Sequence, residues 1–355
     1  MTTRRNVLAG LLATGVSPVT GWADVGAPRF LAAGRAADGQ HHLFGLSASG
    51  APQFAIPLPS RGHAAAAHPT RCEAVAFARR PGLFAIVMEC RNGDVIAKLH
   101  APEGRHFYGH GVFSSDGRTL FTTENDFEGG QGRIGVWDAA HGYRRIGEFS
   151  SGGVGPHDLR LMPDGATLVV ANGGIETHPD TGRAKLNLPF MQSNLSYLTL
   201  DGAQIEQVSL GADHQLNSIR HLALRDDGQV AFAMQWQGDL TQDRPLLGLH
   251  RRGSDAALLG TGREMQGYAG SVSYFADGSR VATSSPRGGR VQVFDTRTQQ
   301  TVTSLAVPDA CGLAQARSAL MITTGTGAIL SFATDTRVLQ SSDQVAWDNH
   351  LIALL

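Results

Sequence analysis

Five histidines, His63, His110, His157, His221 and His350, could do chemistry together if the fold brought them to one place. Forty-seven residues separate His63 from His110, and the same number separates His110 from His157. That is the spacing of a repeat, unlike the few residues between ligands in a compact motif; neither H-E-x-x-H nor C-x-x-C-H occurs. Imidazole suits zinc, copper and iron, and carboxylates extend the choice toward iron. Asp158 directly follows His157 and is an alternative to it, and Glu124 is a carboxylate from an adjacent loop. A set such as His110, His157 and Glu124 would make a metal site. The same histidines also read as strand-starting residues that hydrogen-bond within their own units. A catalytic reading has histidine, carboxylate and arginine polarise and protonate a substrate. No nucleophile accompanies it, since Ser271 in GSVSYFADGS lacks an elbow pattern.

The elements that would position these side chains come from an internal repeat. GHAAAAHPTR, GHGVFSSDGR, PHDLRLMPDGA, RHLALRDDGQ and GSVSYFADGSR are each a short apolar strand closed by a tight polar turn. A second strand follows each, and past a variable loop comes a strand-turn-strand pair such as GRIGVWDAAHGYRRIGEF. Four short antiparallel strands per unit predict an all-β chain, a seven-bladed β-propeller over residues 29–355. The C-terminal WDNHLIAL supplies the missing inner strand of the first blade, which closes the ring without an open edge. With 42% hydrophobic residues and 44 glycines, the composition agrees.

In such blades the start of the inner strand and the loop from second to third strand share one face of the disc. The five histidines, with Ser271 and Cys311 in the last two blades, are therefore expected around one mouth of the axial channel. A ring spread around a wide channel cannot all reach one ion, since zinc–nitrogen bonds are only about 2.1 Å. The expectation is a site from two or three neighbouring blades. The same face should carry His106, Tyr108, Arg79, Asp126, Asn172, Glu176, His178, Lys185, Trp236, Asp239 and Arg287. Cys72 and Cys90 flank a turn symmetrically, as cross-strand neighbours that would permit a disulfide.

The formal net charge of −1 excludes an electrostatically driven nucleic-acid or anionic-membrane partner. The start, MTTRRNVLAGLLATGVSPVTGWADVGAP, has Arg4 and Arg5 ahead of a short apolar run, resembling a twin-arginine export signal cleaved after Ala23. A soluble periplasmic protein is expected from it.

The ordered segments RGHAAAAHP, HFYGHGVFS, ENDFE, GPHD, NGGIETHPD, GRAKLN, SIRHLA, LHRRG and SPRGGR resemble the family of unknown function number 1513, exported bacterial propellers similar to WD40-type folds. The resemblance implies periplasmic handling of iron, another transition metal or haem, with imelysin-like or di-haem peroxidase-like partners. It implies no reaction.

Overall fold

The computed structural model describes residues 21–79, 83–182 and 184–354, so all but the last three residues of the expected twin-arginine segment, 1–23, fall outside the described residues. From Gly21 onward the chain is anchored to the fold. A short 3-10 helix, Trp22–Val25, docks against the second blade, where the Trp22 indole donates to the His68 carbonyl at 2.8 Å.

Seven four-stranded antiparallel sheets make up the fold. In the first, the C-terminal strand Val345–Ala353 is innermost, beside Phe30–Ala36, His41–Leu46 and Pro52–Leu58. The expected closure is thus present, and no inner strand is left unpaired in that blade. The other inner strands are Gly62–Ala67, Arg105–Phe113, Pro156–Leu161, Asn217–Leu224, Ser271–Tyr274 and Ala310–Gln315, for blades two to seven. No described helix is long and apolar enough to cross a membrane.

Residue type follows depth. The second strand of blade four, TLVVAN, is buried throughout, whereas the outermost strand of blade three, RRIGEFS, has no buried residue. Between blades two and three, Phe77, Phe107, Phe113 and Trp137 pack in one core cluster. Burying each such aromatic contributes about 1.5–3 kcal/mol. The repeated turn has its own logic: in SSDG the Asp116 carboxylate accepts from the Ser114 hydroxyl at 2.6 Å and the Arg118 amide at 3.0 Å, while Gly117 takes a φ of 70°. Asp164 and Asp277 cap their turns by bonding the residue two further on.

Candidate metal centre

The histidine-bearing strands are not regular. Pairing of inner to second strand slips across residues 63–64, 108–110, 157, 220 and 348–350, so that surplus residues on the inner strand face too few partners. Such bulges re-aim side chains out of the pleat, and each lies at or beside one of the five histidines. Blade six, whose ring position is Ser271, pairs without a slip. At the slip in blade three, the Thr123 hydroxyl donates to the stranded His110 carbonyl at 3.3 Å. Gly109 is required there twice over. Its φ is 103°, and a Cβ would stand 2.5 Å from the His63 ring.

The result corrects the expectation of a wide ring. The five imidazoles converge, with neighbouring ring centroids 4.5–6.0 Å apart. His63, His110, His221 and His350 are 2–8% exposed, and His157 is half-buried. Two groups of three have ligand atoms within 4.8 Å of one another: His63, His110 and His350, and His110, His157 and His221. His110 is common to both. Its Nδ1 lies 3.1 Å from Asp158 Oδ1, and an ionised carboxylate only accepts, so Nδ1 carries the proton and Nε2 keeps its lone pair. That Nε2 lies 3.2 Å from Nε2 of His63. Two nitrogens bound tetrahedrally to one ion at about 2.1 Å stand about 3.4 Å apart.

Three nitrogens of the cluster, His63 Nδ1, His221 Nδ1 and His350 Nε2, are buried without a hydrogen-bond partner. Buried polar atoms are ordinarily satisfied, and each orphan costs about 1–3 kcal/mol. Burial disfavours the charged form of four of the five imidazoles. It lowers His63, His157 and His350 well below the usual imidazole range and His221 to about 3, with neighbouring imidazoles and arginines adding to it. Burial alone would raise the Asp158 carboxyl. Arg160 and His110 outweigh it and hold the group well below the usual carboxylate range.

Asp158 therefore stands behind the cluster as the partner that orients His110. It also accepts from the amides of Leu159 and Leu222 at 2.9 and 3.0 Å, which ties blades three, four and five together. Glu124 is not brought to the histidines. Its carboxylate is bidentate to Arg145 at 2.7 and 2.9 Å and accepts from Thr122, within blade three. Alternation along the strand explains this, because Thr123 faces His110 and its neighbour Glu124 must face away. Glu124→Gln should cost about 1–3 kcal/mol of stability, because it replaces a charge-assisted pair with the half-buried Arg145, which keeps Glu148 as its other partner. Metal content should not change; urea denaturation beside metal analysis checks both.

The expected binding face divides. His106 and Tyr108 are buried above the cluster, their rings 5.5 Å apart, with Tyr108 6.5 Å from His157. Arg79 bonds Asp348 at 2.7 Å. Arg287 lies over the Tyr268 ring, and Lys185 donates to Gln237. Asp126 pairs with Arg105 and Arg133, and His178 caps a 3-10 turn beside Phe127. Glu176 is half-buried, its amide bonded to Asn187. Three residues belong to the scaffold instead. Asn172 is spent on Ser151, Asn194 and Ser196, Trp236 bonds the Asp239 carbonyl, and the Asp239 carboxylate caps its own turn.

All three cysteines are free. Cys72 and Cys90 are neighbours as expected, the Cys90 amide donating to the Cys72 carbonyl at 2.8 Å. The sulfurs go elsewhere, however: the Cys72 thiol donates to Glu89 at 2.9 Å, and burial pushes it up to about 12. Residues that sequence reasoning passed over are Arg61, Arg160, Arg220, Asp348 and Asn349. The WDNH at residues 347–350, which ends on the repeat histidine His350, was the available signal for the last two.

Fold and centre together define a seven-bladed β-propeller with a buried polyhistidine cluster where its inner strands meet. By sequence the chain belongs to the family described as "Protein of unknown function (DUF1513)", which it matches over residues 56–354. Among solved structures it is similar to hydrazine synthase from Kuenenia stuttgartiensis, with 12% identity and a TM-score of 0.61 over 86% of this chain and 90% of that one. It is also similar to a chain of a mitotic checkpoint complex, with 12% identity and a TM-score of 0.56 over 79% and 77%. At such identity the likeness is one of fold. No functionally curated protein matches the chain.

Proposed function

We propose that this protein binds one transition-metal ion at the convergent histidines, as a periplasmic binding protein rather than an enzyme. The observation that carries this reading is the 3.2 Å separation of His63 Nε2 and His110 Nε2, with His110 fixed from behind by Asp158. A carboxylate behind a ligating imidazole is the usual outer shell of a metal site. Both groups of three depend on His110, whose Nδ1 is held by Asp158 and which has only Nε2 to offer an ion, so the stoichiometry is one ion per chain. An all-imidazole donor set suits copper, zinc or ferrous iron better than a hard ferric ion. Rings this close leave no room for a macrocycle between them, so the ligand at the cluster is an ion rather than haem. Iron handling with imelysin-like or di-haem peroxidase-like partners rests on the family resemblance.

Chelator-stripped protein titrated with Cu²⁺, Zn²⁺ and Fe²⁺ should take up one equivalent of at least one of them. A double variant, His110→Ala with His63→Ala, which leaves neither group of three intact, should take up none at the same concentration. Protein with no bound and no titratable metal would overturn the reading.

A second reading is a scaffold on the same face. It is favoured by exposed apolar side chains on the long loops there, Phe190 at 81%, Leu240 at 55% and Leu186 at 51%. Capture of a partner by metal-free protein, lost in Phe190→Ser, would support it.

A further inference from the structure

A cleft of about 510 Å³ opens beside the cluster, between blades one, two and seven. Arg61 and Gly62 line it and run directly into His63; Asp348 and Asn349 line it and run into His350. Arg35 and His41 complete the wall on the side of blade one. The Asp348 carboxylate, 5% exposed, is shared between Arg61 Nε at 2.6 Å and Arg79 Nη1 at 2.7 Å. Two guanidiniums, of Arg61 and Arg79, thus hold that one carboxylate, a third, Arg35, lines the same cleft, and Asp309 is the other acid of the wall.

Arginines flank the histidines as well: Arg61 lies two residues before His63, and the Arg220 guanidinium lies 3.5 Å from His157 Nδ1. A bare dication held by neutral imidazoles would be opposed by their charge, and Asp158 is already paired with Arg160 at 3.3 Å. Buried charge without a counter-charge is costly. An anion that comes with the metal removes that cost. Five imidazoles, three of them with an orphaned nitrogen, on one side and an arginine-lined cleft on the other provide for both partners.

We infer that the protein binds its metal together with a small oxygen-donor anion, a carboxylate or an inorganic oxyanion, which sits in this cleft against Arg61 and completes the coordination from the side of His63 and His350. The inference rests on the metal reading above. Arg61 spends only its Nε on Asp348 among the described residues, so its terminal nitrogens are available to hold such an anion as a fork. The anion's oxygen would occupy the open side of the ion, and exchange of metal would follow exchange of anion.

The test is titration of chelator-stripped protein with Co²⁺, whose visible absorption reports its ligands, in a non-coordinating buffer. Separate arms add acetate, oxalate, phosphate or, as control, chloride. At least a tenfold gain in cobalt affinity and a changed spectrum are expected with carboxylate or phosphate, and not with chloride; the stronger arm identifies the source of the anion. Arg61→Gln and, separately, Arg35→Gln should each shrink that gain at least tenfold. Equal affinity and an identical spectrum in every arm would overturn the inference and leave the metal reading standing. Failure to bind cobalt, copper or zinc in any arm would overturn both.

Discussion

His110→Ala should lower metal affinity by about a thousandfold, the largest effect of any single substitution in the cluster. A site of three or four ligands binds with roughly 10–16 kcal/mol, so one ligand is worth about 4 kcal/mol. His110 belongs to both groups of three, and its loss leaves neither intact. Asp158→Asn keeps all five imidazoles but replaces an acceptor with a group that can present a donor to His110 Nδ1, so the favoured tautomer weakens. Its cost should be about 10–100-fold, as for other carboxylates behind a ligating histidine. Isothermal titration of both variants with Zn²⁺ or Cu²⁺ measures the ratio. Equal losses in the two, or no loss in His110→Ala, would remove His110 from the centre.

Much of this was legible in the sequence. Aspartate-glycine turns at regular intervals, alternating with short apolar strands, required a repeated four-stranded unit. WDNHLIAL required a partner at the other end of the chain. The repeat also placed five histidines at one end of five inner strands. Their convergence was not legible, because it depends on the bulges at residues 63–64, 108–110 and 348–350. A regular strand would have left the rings in the pleat, and only register, a long-range property, shows where pairing slips. Glu124 misled for the opposite reason: its strand is regular, so its side chain is fixed on the face away from His110, where Arg145 awaits it. Arg61 and Asp348 lie 287 residues apart, and nothing local in either stretch announces their pairing.

Acid should unfold the metal-free protein unusually early. Setting aside His157, which is shifted the same way but only half-buried and so more screened by solvent, His63, His221 and His350 have folded-state pKa values below the 6.5 of an unfolded imidazole, with burial the largest cause. Below pH 6.5 the unfolded chain therefore binds protons that the folded chain refuses, and stability falls as pH falls. For His221 the loss continues until about pH 3, where the folded protein also takes up the proton. Each such histidine costs about 1.4 kcal/mol at pH 5.5, so the three together cost about 4 kcal/mol, a large share of a typical 5–15 kcal/mol. Asp158, shifted the same way, adds its loss only below the ordinary carboxylate range. Above pH 7 stability should be flat with respect to these groups. Urea denaturation at pH 7.5 and 5.5, with chelator present, measures the difference, and His221→Gln should remove about a third of it. A bound ion keeps its ligands deprotonated, so metal should move the acid transition to lower pH. An unchanged urea midpoint between the two pH values would mean that the histidines are hydrated rather than buried, and would take with it the low-dielectric centre argued from their packing.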